Sequence, residues 1–264
     1  MQNRHIDRKR YFDELAKTSE EFYIDYLKPY KNIGPGCKVL EIGCGEGGNL
    51  LPFAQAGCKV AGLDLAAGKI DNARKFFATL ETEGEFACAD FLKTNPFEND
   101  GLFDIILIHD VIEHIEPEGK DAFFERLKMY LKPDGIIFFA FPAWQMPFGG
   151  HQQICRSKVC SKVPFMHVLP VFMYKAWLKL FGEQKDKIDE LLSIKRSRMT
   201  PEKIEKLCAR HGYGIKDRIF WFFSPHYKTK FNLTPRRLWK PLAHIPYLRN
   251  WFTTSCFYLI EESK

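Results

Sequence analysis

Short apolar runs alternate with amphipathic stretches through the first half of the chain. Apolar runs of this kind are typical of buried strands, and apolar positions spaced three or four apart are typical of helices. The pattern predicts strands over 38–42, 59–64, 85–90, 103–108 and 135–141, with helices over 49–56, 67–79 and 119–131. Because the strands are almost wholly apolar, both faces of their sheet should be covered. We therefore expect an α/β fold with a doubly wound, mostly parallel sheet.

The regions that flank this alternation have other patterns. Residues 8–31 predict a helix, which Gly34-Pro-Gly36 should end. After Phe141, sequence rich in Pro, Gly and aromatic residues, with a helix over about 171–181, predicts an insertion over 142–197.

A further helix and two strands should complete the sheet. Thr200 is suited to cap the helix, with Pro201 at its first position and an end near Arg210. The strands are expected over 215–223 and 253–261. The chain is thus divided into an N-terminal helical segment (1–33), a core (34–141), the insertion (142–197), and a C-terminal helix with edge strands (198–264).

Charge is divided unevenly along the 264 residues, whose net charge is +6. Residues 1–141 contain 17 Lys and Arg against 24 Asp and Glu, whereas residues 142–264 contain 22 against 9. A basic half of this kind suits an anionic substrate, a phospholipid surface or nucleic acid, and a solvated basic face would explain it equally well.

Several features favour a cytoplasmic location. The first ten residues are charged rather than apolar, so we expect no secretory signal. The apolar stretch 163–182 is interrupted by Pro170 and by Lys175 and Lys179, which argues against a membrane-spanning helix. Eight cysteines in a chain of this length are typical of reduced, mostly buried thiols.

The sequence Val39-Leu-Glu-Ile-Gly-Cys-Gly-Glu-Gly-Gly48 joins the first strand to the first helix of the core. Glycines permit positive φ and a close approach of backbone to ligand, and the helix that follows directs free N–H groups at the same place. Asp64 ends the next strand, where its carboxylate could accept hydrogen bonds from both hydroxyls of a ribose. We interpret this loop as the binding site of an adenosine-containing cofactor. Because its glycines also satisfy G-x-G-x-x-G, an NAD(P)-type dinucleotide is an alternative.

Three features make the chain resemble the class I S-adenosylmethionine-dependent methyltransferases. Glu41 lies two residues before the first glycine, where that family carries an acid facing the methionine part of the cofactor. Residues 103–115 resemble the family's fourth strand and the turn after it, and 131–135 resemble the entry to its fifth strand. The segment with Glu113 and His114 is similar to small-molecule enzymes of the ubiquinone and menaquinone biosynthesis type. The resemblance implies a Rossmann-like sheet of seven strands that ends in an antiparallel hairpin.

The predicted cofactor contacts all lie at the ends of strands. Gly43, Gly45 and Gly47 should pass beneath the methionine and ribose portions. The resemblance assigns Asp90 to the exocyclic amine of adenine and Phe91 to the face of its ring, with Leu65 on the other side. His109 ends the fourth strand, so it should face the cofactor near its sulfonium or carboxylate.

Two histidines are candidate catalytic bases. His114 belongs to the turn after the fourth strand, and His151 lies in the loop after the fifth. Either could take a proton from a hydroxyl or acidic carbon, whereas an amine acceptor needs no base. His151, Cys155, Cys160 and His167 are also four zinc-ligand types in a short span, but they contain no C-x2-C pair, so we expect no metal.

The expected function is methyl transfer from S-adenosylmethionine to a small-molecule acceptor, hydrophobic or anionic. The end of the fourth strand lacks an Asn- or Asp-Pro-Pro-aromatic motif. With that motif the chain would resemble methyltransferases that modify amino groups of nucleic acids. Three alternatives stay open: an RNA methyltransferase that uses the basic half, a cofactor-binding module without catalysis, and the dinucleotide enzyme. We expect a monomer or homodimer, with peripheral membrane contact through 163–182 or 239–252 as a further hypothesis.

Overall fold

The computed structural model describes residues 7–98 and 101–263. Within them one sheet contains eight strands: β1 Lys38–Ile42, β2 Lys59–Asp64, β3 Glu85–Cys88, β4 Phe103–His109, β5 Leu131–Phe141, β6 Tyr213–Phe223, β7 Arg236–Arg237 and β8 Ser255–Glu262. Their order across the sheet is β3-β2-β1-β4-β5-β8-β6-β7. Strands β1 to β5 are parallel, and the last three are antiparallel. The doubly wound, mostly parallel sheet predicted from the sequence is confirmed.

The sheet has one strand more than the seven expected. The two-residue β7 pairs with the far side of β6 and is too short to produce a hydrophobic pattern. The winding reverses between β1 and β4, since the chain moves outward through β2 and β3 on one side and through β5 on the other. In such sheets ligands bind outside the carboxyl ends of the strands at the point of reversal.

Helices cover both faces of the sheet. They are α1 Arg8–Thr18, α2 Ile24–Leu27, α3 Leu51–Gln55, α4 Ala67–Thr79, α5 Lys120–Lys128, α6 Val171–Leu180, α7 Lys185–Ser197, α8 Pro201–Arg210, α9 His226–Phe231 and α10 Lys240–Ala243. A π-helical stretch, Ser19–Tyr23, joins α1 to α2. None of the helices in the described parts of the chain is long and apolar enough to cross a bilayer.

Several predicted boundaries were wrong by a few residues. The N-terminal helix ends at Leu27 rather than 31, and β3 ends at Cys88 because the carboxylate of Asp90 accepts the backbone N–H of Leu92 and starts a turn. Helix α7 was not predicted. Its buried Ile188, Leu191 and Leu192 do stand at helical spacing, with charged residues on the other side.

Alternate side chains of the strands enter two apolar cores, one on each face of the sheet. In β5, Ile137, Phe139 and Phe141 belong to one core, and Ile136 and Phe138 belong to the other. A third cluster lies wholly within the insertion, where α6 and α7 bury Tyr174, Leu178, Ile188, Leu191 and Leu192 with Cys155 and Cys160. The insertion therefore has a core of its own.

The N-terminal helix packs directly on the loop after β1. The ring of Phe12 lies 5.0 Å from that of Phe76, and the hydroxyl of Ser19 donates to the carbonyl of Asn49 at 2.7 Å. A Cβ added to Gly48 would lie 2.6 Å from the carbonyl oxygen of Phe12, so this contact needs glycine. Helix α1 and the glycine loop consequently form one packed unit.

Removing the cap of α8 tests the local energetics of the fold. The hydroxyl of Thr200 accepts the backbone N–H of Lys203 at 3.2 Å, as the sequence predicted. Thr200→Ala should lower the free energy of unfolding by about 1 kcal/mol, because it leaves a helix N–H without its acceptor. Urea denaturation measures the loss. Thr200→Ser should retain most of the stability, and an equal loss in both variants would contradict the capping role.

Candidate cofactor and acceptor site

Backbone hydrogen bonds fix the loop after β1 against the end of β2. The N–H groups of Gly43 and Cys44 both donate to the carbonyl of Leu63, at 2.7 and 3.0 Å. Gly43 and Gly47 have φ of +75° and +81°, and at both positions a Cβ would collide with a side chain, that of Val111 or Phe86. Gly45 also has positive φ, but a Cβ there would meet nothing within 3.9 Å. The loop is therefore packed at its ends and open in its middle, where a ligand can approach the backbone.

Asp64 lies at the carboxyl end of β2 and faces this open part of the loop. One of its oxygens accepts the N–H of Gly45 at 3.0 Å, and the other accepts the N–H of Ala66 at 2.9 Å. These bonds hold the carboxylate in one orientation. Each oxygen keeps a second lone pair, so the group can still accept the two hydroxyls of a sugar.

Glu41 is a buried acid with one unused oxygen. Its Oε1 accepts the side-chain amide of Asn49 at 2.6 Å, while its Oε2 finds no partner among the residues that the structure describes. Burial raises the pKa of Glu41 to about 8, despite the opposing effect of the Asn49 hydrogen bond. An unpaired buried carboxyl is costly, which marks this oxygen as a place for a ligand's positive group.

The three residues expected around an adenine have different environments. Leu65 is 73% exposed immediately after β2, and Asp90 lies at the edge of the sheet beside Lys93, 2.9 Å away. Phe91 instead packs into the core, with its ring 4.9 Å from that of Phe123. Only a small part of Phe91 is left for contact with a ligand.

A cavity of 410 Å³ adjoins the carboxyl ends of β4 and β5. His109, His114 and His151 lie in its wall, and Lys69 connects it to the loop because its ammonium is 3.7 Å from Asp64. Further lining residues come from four separate parts of the chain, and they include Arg8, Tyr11 and Tyr23; Met146, Phe148 and Ile154; Ser224, His226 and Lys230; and Ser255. Asp110 is the only acid among the described lining residues.

Arg8 links helix α1 to the glycine loop beside this cavity. Its guanidinium donates to both oxygens of the buried Glu46, each at 2.6 Å. Planar two-bond pairs of this kind fix geometry as well as charge. Glu46 belongs to the glycine loop, so the pair connects one wall of the cavity to the candidate cofactor site.

His151 and Glu113 meet at the cavity wall. His151 has φ of +57°, and its Nε2 lies 3.5 Å from Oε1 of Glu113. Neither oxygen of the buried Glu113 has a hydrogen-bond partner within the described ranges. Burial would lower the pKa of His151, but the carboxylate of Glu113 outweighs that effect and the pKa is raised. The imidazole therefore lies within ion-pair distance of an acid and lines the cavity.

Glu113, His114 and His151 could together hold a metal ion. Each offers one ligand atom, and these atoms lie within 4.8 Å of one another. Within residues 7–98 and 101–263, His151, Cys155, Cys160 and His167 are not assembled into one metal-binding group. His167 donates to the carbonyl of Trp144 at 2.7 Å, and Cys155 and Cys160 are buried in the core of the insertion.

No local sequence pattern pointed to several of the residues that line the cavity. Arg8 and Tyr23 come from the N-terminal helices, and His226 comes from the start of α9. Arg8 and Tyr23 reach the site because the N-terminal segment packs on β5 and β8, where the ring of Tyr23 contacts those of Phe138 and Phe257. Local patterns do not report contacts between positions so far apart in sequence.

Comparison with known proteins was made for both sequence and fold. Residues 39–135 match a family profile described as Methyltransferase domain. Phosphoethanolamine N-methyltransferase 3 of Arabidopsis thaliana is 37% identical over 122 residues, which cover 46% of this chain and 23% of that protein. Ubiquinone biosynthesis O-methyltransferase of Actinobacillus pleuropneumoniae is 32% identical over 123 residues, which cover 44% and 50%. The chain therefore spans half or less of the length of these two relatives.

Solved structures resemble nearly the whole chain. An S-adenosylmethionine-dependent methyltransferase from Clostridium acetobutylicum aligns over 94% of this chain and 92% of its own, with a TM-score of 0.59 and 13% identity. At this identity the likeness shows the fold alone.

The raised pKa of Glu41 predicts an unusual dependence of stability on pH. Its folded-state pKa of about 8 exceeds the ordinary value of 4.5, so its contribution is fully present below pH 4.5 and is lost as the pH rises through 8. Glu41→Gln should flatten the dependence of unfolding free energy on pH across this window. Urea denaturation at several pH values measures the slope, which one group can change by up to about 1.4 kcal/mol per pH unit.

A surface variant provides the control for this measurement. Glu83 is an exposed acid, and Glu83→Gln should keep the wild-type slope. Equal slopes in wild type and Glu41→Gln would show that Glu41 is ionised in the folded protein at neutral pH.

Proposed function

We propose that this chain, which carries a class I S-adenosylmethionine-dependent methyltransferase domain, transfers a methyl group from that cofactor to a small molecule. The profile match and the methyltransferase relatives confirm the family and the cofactor that the sequence predicted. The fold agrees with that of the solved methyltransferases. The acceptor and the roles of individual residues belong to the proposal.

The residues at the strand ends fit the cofactor part by part. Asp64 would accept the ribose hydroxyls, and the open middle of the loop at Gly45 would lie against the ligand. Glu41 lies in β1 just before the loop, and its unpaired oxygen is suited to the ammonium of the methionine part. Leu65 offers an exposed apolar side chain to adenine, with Asp90 as acceptor for its amine. When bound, S-adenosylmethionine supplies an electrophilic methyl group on its sulfonium.

The protein's own contribution is alignment and control of one proton. In-line displacement requires the acceptor atom to be held close to the methyl group, and such positioning supplies much of the acceleration. We assign the acceptor to the histidine-lined cavity, which adjoins the loop through Lys69 and Arg8. His151, oriented by Glu113, would take the proton of a hydroxyl acceptor. His114, whose ring is 4.9 Å from that of His151, would pack against it.

The main support for the proposal is that the acceptor cavity adjoins the candidate cofactor site. A cavity of 410 Å³ suits a small molecule or one end of a larger one. Its wall contains cationic groups and one carboxylate, alongside the apolar Met146, Phe148 and Ile154. This composition favours an acceptor that has both an anionic and an apolar part. The relatives named above as N- and O-methyltransferases support a small acceptor without fixing the atom.

Asp64→Ala should weaken binding of S-adenosylhomocysteine at least about tenfold, equivalent to 1.4 kcal/mol. The variant removes the two carboxylate oxygens that would accept the ribose hydroxyls, and it leaves the N–H of Gly45 without its acceptor. Isothermal titration calorimetry measures the affinity. Asp71→Ala, which removes an exposed acid from α4, should bind as wild type.

Methyl transfer itself is tested by incubating the protein with methyl-labelled S-adenosylmethionine and a small-molecule extract. A labelled product should form with wild type and be strongly reduced with Asp64→Ala, and mass spectrometry then identifies the acceptor. Tight cofactor binding without label transfer to any extract would contradict catalysis and favour the binding module instead.

With a hydroxyl acceptor, the rate should rise with pH through the raised pKa of His151, because only the neutral imidazole accepts a proton. His151→Ala should lower the rate by roughly 10² to 10⁴ and remove this step. Glu113→Gln should move the midpoint to lower pH, since the carboxylate raises the pKa. Rates at saturating cofactor across pH provide the test.

Cofactor affinity is the control for both variants, and it should not change. If neither variant alters the pH profile, the proposal that His151 takes the proton is wrong. Loss of activity on adding a chelator, restored by a divalent cation, would instead assign Glu113, His114 and His151 to metal binding.

A further inference from the structure

The large apolar side chains that the protein exposes are concentrated in two short stretches. Of the 21 that are exposed in the described residues, twelve lie within 165–181 or 239–252. They are Phe165, Val171, Phe172, Met173, Leu180 and Phe181 in the first stretch, and Trp239, Ile245, Tyr247, Leu248, Trp251 and Phe252 in the second. Such a concentration is unusual for a soluble surface and marks a site of interaction.

The fold brings the two stretches together. The rings of Phe165 and Trp251 are 5.9 Å apart, although both are about 40% exposed. Phe165 is fixed by its backbone, which has φ of +65° and donates to the carbonyl of Pro147 at 2.7 Å. We call the surface formed by these twelve side chains the apolar face.

Helix α6 shows how the apolar face is built. Its inner side buries Tyr174 and Leu178 in the core of the insertion. On its outer side Phe172, Ala176 and Leu180 follow one another at intervals of one turn, and the two larger of these are 74% and 78% exposed. Lys175 and Lys179 flank this stripe. An apolar stripe bordered by lysines is typical of helices that lie in the interface of a bilayer.

The sequence that carries both halves of the apolar face is poor in acids. No Asp or Glu occurs between Asp134 and Glu183, or between Asp217 and Glu261, whereas these two intervals contain five and seven Lys or Arg. Both halves of the apolar face fall inside these intervals. In the second stretch Arg249 pairs with Glu202, so the cations complementary to anionic lipid headgroups are the exposed Lys175, Lys179 and Lys240.

The types of side chain in the apolar face favour a bilayer over nucleic acid as its partner. RNA would be met by aromatic rings for stacking and by cations for phosphates. Five of the twelve side chains of the apolar face are instead aliphatic or sulfur-containing: Val171, Met173, Leu180, Ile245 and Leu248. These side chains form neither hydrogen bonds with phosphates nor ring stacking with bases, but their transfer from water into lipid acyl chains is favourable in free energy. Trp and Tyr at the rim match the headgroup region.

We propose that the apolar face docks the protein on the surface of an anionic phospholipid bilayer. Docking would bury the outer side of α6 and the 239–252 stretch at the level of the headgroups. The insertion that carries α6 also contributes Met146, Phe148 and Ile154 to the cavity wall, so the docked unit and the acceptor cavity are continuous. The proposal does not depend on methyl transfer.

Co-sedimentation of the full chain with vesicles tests it. The protein should bind vesicles of phosphatidylcholine mixed with phosphatidylglycerol, and bind pure phosphatidylcholine much more weakly. The double variant Phe172→Ser with Leu180→Ser should reduce binding about tenfold or more, because two exposed side chains lose their transfer into the bilayer. Lys175→Gln with Lys179→Gln should reduce binding to the anionic vesicles only.

A matched control removes apolar surface elsewhere. Leu80 and Met129 are exposed outside the apolar face, so Leu80→Ser with Met129→Ser should bind vesicles as wild type. Circular dichroism and cofactor titration should show that every variant is folded.

Three outcomes would overturn the proposal. The first is no binding to anionic vesicles at low salt. The second is an equal loss in the control variant. The third is that the apolar-face variants leave vesicle binding intact but abolish RNA binding or a concentration-dependent dimer measured by light scattering, which would assign the apolar face to nucleic acid or to a second copy of the chain.

Discussion

The clamped loop between β1 and α3 is the constraint on which the rest of the site depends. Its first residues are bonded to the end of β2, its buried Glu46 is held by Arg8, and its last glycine has no room for a side chain beneath Phe12. The loop is thus fixed by the sheet on one side and by the N-terminal helix on the other. A loop held in this way presents its open middle at Gly45 and an oriented Asp64 without further ordering, which is the basis of preorganised binding.

The sequence predicted the features that depend on neighbours along the chain. Strands β1 and β2, helix α4 and the cap at Thr200 have the predicted bounds, because apolar runs and capping chemistry are local. Helix α7 was missed although Ile188, Leu191 and Leu192 have the spacing of an amphipathic helix. Strand β7 exists only through pairing with β6, and no local pattern reports such a pairing.

The residues of the candidate site also fall into two groups, those that local sequence patterns indicate and those that only the fold brings together. Glycines and strand-end acids could be read from the motif, and His151 could be singled out by its place after β5. Its partner Glu113 is defined only by the fold, since a backbone turn with φ of +57° brings the imidazole to the carboxylate. The same holds for Arg8 and His226, which meet across a cavity although they come from opposite ends of the chain. Composition indicated a basic half but not which of its cations would face a ligand.

The separate core of the insertion has a consequence for how such an enzyme can diversify. Tyr174, Leu178 and their neighbours pack among themselves rather than into either core of the sheet. Segments with independent cores tend to open and close as cooperative units. The insertion can therefore be remodelled by mutation, or exchanged for another of different shape, with little penalty to the cofactor half. Selectivity for new acceptors would then evolve in a module that the nucleoside-binding scaffold tolerates.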